Sequence, residues 1–321
     1  MLFLMHAFRA YGGDGQHTCS WGPLSLASEQ YMCFPAKGIH APQDVGDGGG
    51  SHRPNGTSNS GDDNIWSASS DCFGEYCVYT NTKFFGNGIS LVTTAPNHRR
   101  VSQIQVPELT LKSRHENIRT VEIPAKGRGL VATRTIRRGE RIMAMGPALL
   151  VHRNAFRELE PDDLYYLMDM AVNSLPKSRK EGYLAQAGTM GGHKITDILF
   201  TNSFQIALGD PDGLHYGNFP EASLLNHDCR PNLAFFVDQN LTHHTHAMRD
   251  IGPGEELTIS YLDALQLRSA RQERTRNSLG FACGCSHCTM PREESDASDD
   301  RLRAISRIEE SHWSWNIKPR R

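Results

Sequence analysis

Three thiols within six residues, in Phe281-Ala282-Cys283-Gly284-Cys285-Ser286-His287-Cys288, constrain this chain more than any other feature. Spaced so closely, with glycine between, they wrap one metal ion, and a structural zinc closes tetrahedrally on four ligands. The fourth ligand comes from Cys229, His287 or a remote residue. His287 sits between two of the thiols and would strain the wrap. Cys229 is the only other cysteine in the C-terminal half, which makes it the preferred fourth ligand. The competing reading is a set of buried or redox thiols. Four further cysteines, Cys19, Cys33, Cys72 and Cys77, lie loosely spaced in the first quarter. Cys72 and Cys77 either close a small loop as a disulfide or remain ordinary thiols, and a bridge needs an oxidising compartment. The tight group suits a reducing one. The opening MLFLMHAFRA lacks a basic n-region and is interrupted by His6, so it makes a poor secretory leader. The expectation is an intracellular protein, nuclear or cytoplasmic, with the N-terminal cysteines leaving a secretory route open.

Lysine plus arginine number 34 and aspartate plus glutamate 36, a net charge of −2. That balance argues against a protein held to nucleic acid by bulk charge. Apolar stretches such as Ala148 to Val151 fall far short of the ~20 residues of a membrane helix. The chain reads as a monomer with no membrane partner. One part of it is expected not to pack. That part is residues 41–70, where Gly, Ser and Pro fill 14 of 30 positions; too little apolar surface remains to offset the entropy of ordering. Residues 1–40 show no clear period, and 1–70 as a whole reads as a disordered or low-complexity extension.

Order is expected from about Asp71. A small cysteine-bearing segment, 71–117, carries short strands at Val78–Thr80 and Gly88–Thr93. Strands then follow at Leu130–Thr133, Arg141–Met145, Ala148–Val151, Leu233–Val237, His243–Met248 and Glu256–Tyr261, separated by Gly-rich turns. Helices are expected at Asp162–Leu175, behind Pro161, at Ile195–Thr201 and at Asp263–Asn277. Many short strands with a few helices make an α+β fold. The arginines from Arg268 to Arg276 read as a solvated helix face, His243, His244 and His246 as strand residues, and 291–321 as a flexible tail flanking a short helix.

Three more segments carry potential chemistry. Lys126-Gly127-Arg128-Gly129-Leu130 holds two glycines that allow positive φ and close approach of a ligand. Asn226-His227-Asp228-Cys229-Arg230-Pro231-Asn232 is a polar loop that must satisfy its side chains locally or hold a ligand. Gly254-Glu255-Glu256-Leu257-Thr258-Ile259-Ser260-Tyr261 alternates along a strand and ends on a tyrosine. Taken singly each has a plain structural reading: a tight turn, a satisfied core histidine, a packing aromatic.

In this order, together with the cysteine cluster, the four segments resemble the SET-domain protein-lysine methyltransferases with a post-SET zinc cluster. Asn226 to Asn232 resembles the NHSCxPN motif with Asp228 in place of serine, Glu255 to Tyr261 the GEELTxxY segment, and Cys283, Cys285 and Cys288 the CxCxxC motif. Asn202-Ser203-Phe204, Pro220 to Cys229 and Tyr261-Leu262-Asp263 look like the SET-and-MYND branch and related fungal SET proteins. The branch's MYND finger and long helical C-terminal domain are not matched, and Leu279 stands where related proteins often have an aromatic residue. The resemblance implies a SET fold of short sheets (a β-clip) with a pseudoknot over 118–262, and a post-SET helix and zinc cluster over 263–290.

It also implies methyl transfer from S-adenosylmethionine to a lysine of a protein substrate, histone or otherwise. The cofactor would be held by backbone from Lys126 through Gly127 to Arg128, by Asn202, by Asn226 with His227, and by Tyr261 and Phe281. Phe204, Tyr261 and Phe281 would wall the lysine channel, Tyr261 being the catalytic residue. Cys229, Cys283, Cys285 and Cys288 would hold a structural zinc. The alternative is a non-catalytic, zinc-stabilised SET-fold module that binds protein.

Overall fold

The computed structural model describes residues 17–20, 32–35, 66–106, 117–208, 213–263 and 265–316. Of the expected linker, 41–70, residues 41–65 lie outside the described residues, while 67–70 belong to a strand and correct the expectation there. Strands β1 (His17–Ser20) and β2 (Met32–Pro35) pair antiparallel, so a hairpin stands within the stretch for which no period was found.

A six-stranded sheet is built from β3 (Ser67–Phe73), β4 (Tyr76–Asn81), β5 (Ile89–Thr94), β9 (Leu149–His152), β10 (Ser203–Ala207) and β11 (Leu214–Asn218), in the order β10-β11-β9-β5-β4-β3. A four-stranded sheet has the order β12-β15-β7-β6, from β6 (Ile118–Ile123), β7 (Gly127–Ala132), β12 (Asn226–His227) and β15 (Glu256–Ile259). The third sheet joins β8 (Arg141–Met145), β13 (Leu233–Val237) and β14 (His243–Ala247) in the order β13-β14-β8. This is the expected α+β architecture of small sheets.

The boundary expected at residue 118 does not divide the first sheet. β5 is buried at every position and pairs in parallel with β9, Leu91 opposite Leu150. The segment before 118 is thus part of the sheet that carries β10 and β11. Order also starts earlier than Asp71, because Trp66 packs against Phe84 and His98 at 5.3 and 5.0 Å between ring centroids. Cys72 and Cys77 face each other across the β3–β4 hairpin and are joined by a disulfide.

The helix Pro161–Asn173 opens on proline, with Asp162 and Asp163 in its first turn, where negative charge complements the helix dipole. Leu164, Leu167, Met168, Ala171 and Val172 recur at helical spacing and are buried against Leu149, Val151 and Val92. A second core gathers Leu130, Ile142, Phe204, Phe219, Leu225 and Ile259 where the three sheets meet, directly beneath the site.

Three C-terminal expectations need correcting. The helix expected from Asp263 starts at Arg268, because Asp263 Oδ1 accepts the Leu265 amide at 2.8 Å and holds a turn there instead. Within it Arg271 is 1% exposed and donates to the Gln266 carbonyl at 2.6 Å, so the arginine run is not wholly a solvated face. The expected tail is a 25-residue helix, Arg292–Asn316. Its Ser295, Ser298 and Leu302 are buried, and Asp299 Oδ1 accepts the Arg268 amide at 3.1 Å.

Candidate active site

Two segments separated in the chain lie side by side in the four-stranded sheet. β12 pairs in parallel with β15, Asn226 opposite Thr258 and His227 opposite Ile259. Asn232, 2% exposed, fastens the pair: its Nδ2 donates to the Glu256 carbonyl at 2.7 Å and its Oδ1 accepts the Thr258 amide at 2.9 Å. β15 also pairs with β7, which brings the β6–β7 turn alongside. In that turn Ala125 and Gly127 take φ of 62° and 74°. Gly129 has a different role. A Cβ there would lie 2.6 Å from Asn226 Nδ2 and 2.7 Å from Ile123 Cγ1, so only glycine lets Asn226 approach the strand.

These elements surround a cavity of ≈ 690 Å³. Lys126, Gly127, Arg128, Asn202, Phe204, Asn226, His227, Tyr261 and Phe281, all expected from the sequence, line it together. Their side chains are not equally free. Lys126 Nζ pairs with Glu256 at 2.7 Å, and Arg128 donates to the Ala185 carbonyl. Asn226 Nδ2 donates to Glu256 Oε1 at 3.0 Å and the Arg128 carbonyl at 3.3 Å. Asn202 Nδ2 donates to the carbonyls of Ala187 at 2.7 Å and Ile198 at 2.8 Å. The two asparagines therefore keep their Oδ1 atoms as acceptors for a ligand's hydrogen-bond donors. Ser203 also lines the cavity, and its Oγ is buried with no partner among the described residues.

His227 is spoken for on both nitrogens. Nδ1 accepts the Tyr261 amide at 3.0 Å, which places the ring proton on Nε2, 3.3 Å from Cys229 Sγ. Burial pushes its pKa down to about 4, so the imidazole is neutral. Any contact it makes with a ligand is left to its backbone. The Tyr261 hydroxyl donates to the Leu225 carbonyl at 2.7 Å. Burial, with the Glu256 charge adding to it, raises its pKa well above the ordinary phenol value. It is a neutral hydroxyl whose oxygen keeps lone pairs to accept a hydrogen bond.

Phe204 is buried against Phe219, Phe235 and His243, with centroids 5.5, 5.3 and 4.8 Å away. Phe281 is half-buried, its ring 5.9 Å from that of His227. Among the walls the sequence reading missed are Gln186, Ala187, Thr189, Met190, Ser203, Leu224 and Leu225. For Gln186 to Met190 the available signal was the glycine spacing at Gly188, Gly191 and Gly192.

Beside the cavity the sulfurs of Cys229, Cys283, Cys285 and Cys288 lie within 4.8 Å of one another. Cys229 is 3.8 Å from Cys283 and 3.5 Å from Cys288, sulfur to sulfur. Zinc–sulfur bonds of ~2.3 Å at tetrahedral angles give edges of about 3.8 Å, so the donor set fits a tetrathiolate zinc. His287 is not in the cluster; Cys229 takes the fourth position.

The SET domain family model matches residues 127–262. Histone-lysine N-methyltransferase SMYD3 of Homo sapiens is 30% identical over 186 residues, covering 49% of this chain and 43% of that protein. Histone-lysine N-methyltransferase set5 of Schizosaccharomyces pombe is 31% identical over 180 residues, 54% of this chain and 51% of its own length. N-lysine methyltransferase SMYD2 of Gallus gallus is 36% identical over 107 residues, 33% and 23% of the two chains. The chain spans about half the length of SMYD3 and set5. Among the described residues no helix is long and apolar enough to cross a membrane. Residues 127–262, which hold the paired Asn226–His227 and Glu256–Ile259 strands, thus match the SET domain, and the chain is similar to SMYD3, set5 and SMYD2.

Proposed function

We propose that this chain transfers a methyl group from S-adenosylmethionine to the ε-amine of a lysine in a protein substrate. The observation that carries the reading is the convergence, on one cavity, of the 126–128 turn, two asparagine acceptors, a neutral tyrosine hydroxyl and two phenylalanines. S-adenosylmethionine would supply an electrophilic methyl on a sulfonium. Backbone at Lys126 to Arg128, the Oδ1 atoms of Asn202 and Asn226, and the backbone of His227 would bind it, with Phe281 against its apolar part.

The acceptor lysine must arrive as a free amine. Phe204, Tyr261, Leu279 and Phe281 give it a largely apolar wall, and desolvation lowers a lysine pKa. Charge moves from sulfur to nitrogen rather than being created, so alignment matters more than a counter-ion. Tyr261 is a poor base, because its phenol is held protonated; its oxygen accepts an amine N–H and aims the lone pair. Cys229, Cys283, Cys285 and Cys288 would hold a structural zinc that fastens the Phe281 segment to the 226–232 loop.

The test pairs binding with turnover. S-adenosylmethionine should raise the thermal midpoint, as any ligand of the folded state does. Tyr261→Phe should keep that shift and cut methylation of core histones or of a total protein extract by about 10²-fold, the scale of a lost transition-state hydrogen bond. Absence of a shift refutes the reading. A shift without turnover in the wild type assigns the chain to the alternative, a zinc-stabilised binding module.

A further inference from the structure

Of the exposed large apolar side chains among the described residues, Met190 alone lines the cavity; it is 39% exposed. An exposed methionine on a loose loop would mean nothing. This one is held on a backbone fixed at successive points. Gln186 is buried and exchanges two amide hydrogen bonds with Asn218, at 2.9 and 3.0 Å. The Ala187 carbonyl accepts from Asn202 at 2.7 Å. The Thr189 amide donates to Thr201 Oγ1 at 3.1 Å, and the Met190 amide to Asp197 Oδ1 at 2.7 Å. Gly188 is required by the same carboxylate, since a Cβ there would lie 2.3 Å from Asp197 Oδ2. Beyond Met190, Gly191 and Gly192 take φ of 79° and 83° and turn the chain away.

The anchors also say which part of the cavity this loop serves. Its contacts run to Asn202 and, through Ala185, to the Arg128 side chain, residues of the cofactor wall under the function proposed above. Tyr261 and Phe204 are held elsewhere, by the Leu225 carbonyl and the Phe219 ring. Of the parts of S-adenosylmethionine, the zwitterionic amino-acid end gains nothing from a thioether. The purine does: it is flat and aromatic, and methionine sulfur packs on such rings for ~0.3–1.5 kcal/mol.

We infer that Met190 covers the purine of the bound cofactor, as a contact residue that the sequence motifs do not include. This rests on the reading of the cavity as an S-adenosylmethionine site, and the experiment separates the two. Isothermal titration measures S-adenosylmethionine and 5′-methylthioadenosine, which keeps the purine and lacks the amino-acid end, against wild type, Met190→Gln and Met190→Leu. Met190→Gln should weaken both ligands by about five- to ten-fold, and Met190→Leu by less than about two-fold. Thermal midpoints without ligand report that each variant folds. A wild type that binds S-adenosylmethionine, with Met190→Gln binding 5′-methylthioadenosine equally well, overturns the inference and leaves the site standing. A wild type that binds neither ligand overturns both.

Discussion

Two histidines buried away from the cavity chemistry should make this protein acid-labile by a calculable amount. His215 lies between Thr93 Oγ1, 2.7 Å from Nε2, and the Gly213 carbonyl, 2.9 Å from Nδ1, with the His152 ring 4.8 Å away. His243 is boxed by Phe204, Phe219 and Phe235, with Thr245 Oγ1 3.3 Å from Nδ1 and no partner for Nε2 among the described residues. Burial pushes the pKa of each down to about 3. The unfolded chain titrates near ~6.5, so between these values it binds a proton that the folded state refuses. Stability is therefore full above ~6.5 and is lost as the pH falls from there towards 3. At pH 5 the gap is about 1.5 units, or about 2 kcal/mol for each histidine. Two such losses are a large fraction of the ~5–15 kcal/mol of a typical domain. Urea unfolding at pH 7.5 and 5.0 measures the drop for wild type and for His243→Phe, which keeps an aromatic ring in the box and removes the titration. Every other pH-dependent contribution is common to the two proteins, so the difference between the two drops isolates His243. It should be about 2 kcal/mol; equal drops would refute the reasoning.

Gly129→Ala should cost about 1–3 kcal/mol of stability, as overpacking does, since its Cβ would meet Asn226 Nδ2 at 2.6 Å. Displacing Asn226 should also weaken S-adenosylmethionine, and titration showing wild-type affinity would contradict the placement of that residue. Removing metal with a strong chelator should release zinc in a one-to-one ratio by colorimetric assay, lower the thermal midpoint and abolish cofactor binding. Methylation that survives complete zinc loss would separate the thiol cluster from the site.

What the sequence made legible was local. Tyr261, Asn226 and the three closely spaced cysteines sit in segments whose residue order carries the pattern, and the cavity gathers them as the pattern implies. What stayed hidden depends on partners distant in the chain. The parallel pairing of β5 with β9 joins residues about sixty positions apart, and nothing in Ile89–Thr94 announces it. Arg271 looks like one more arginine in a charged run until the Gln266 carbonyl and the surrounding burial are known. The stretch Gln186 to Met190 has no motif; it becomes a wall only because Asp197, Thr201, Asn202 and Asn218 each take one of its groups. The helix Arg292–Asn316 opens with acidic residues that resemble a solvated tail, and its buried Ser295, Ser298 and Leu302 are spaced for a face too narrow to stand out.

The least legible feature is the one that ties the thiol cluster to the cavity. A histidine beside an asparagine invites the reading that its ring binds a ligand, yet both ring nitrogens of His227 are occupied by the protein. Because Nδ1 takes the amide of Tyr261, Nε2 must carry the proton, and that proton faces the sulfur of Cys229. A thiolate is the better acceptor for such a donor, and a bound cation would keep four sulfurs within 4.8 Å from repelling one another as thiolates. One neutral imidazole thus spans from a cluster sulfur to the backbone of the residue whose hydroxyl enters the cavity. The Leu225 carbonyl fixes that hydroxyl from the other end, two residues before His227 in the same strand-bearing segment. Tyr261 is therefore held at amide and hydroxyl by one short stretch, Leu225 to His227. The same stretch carries Asn226 into the cavity and Cys229 into the cluster. Position of the aromatic hydroxyl, presentation of the asparagine acceptor and closure of the sulfur cage are consequences of how that one segment lies against β15.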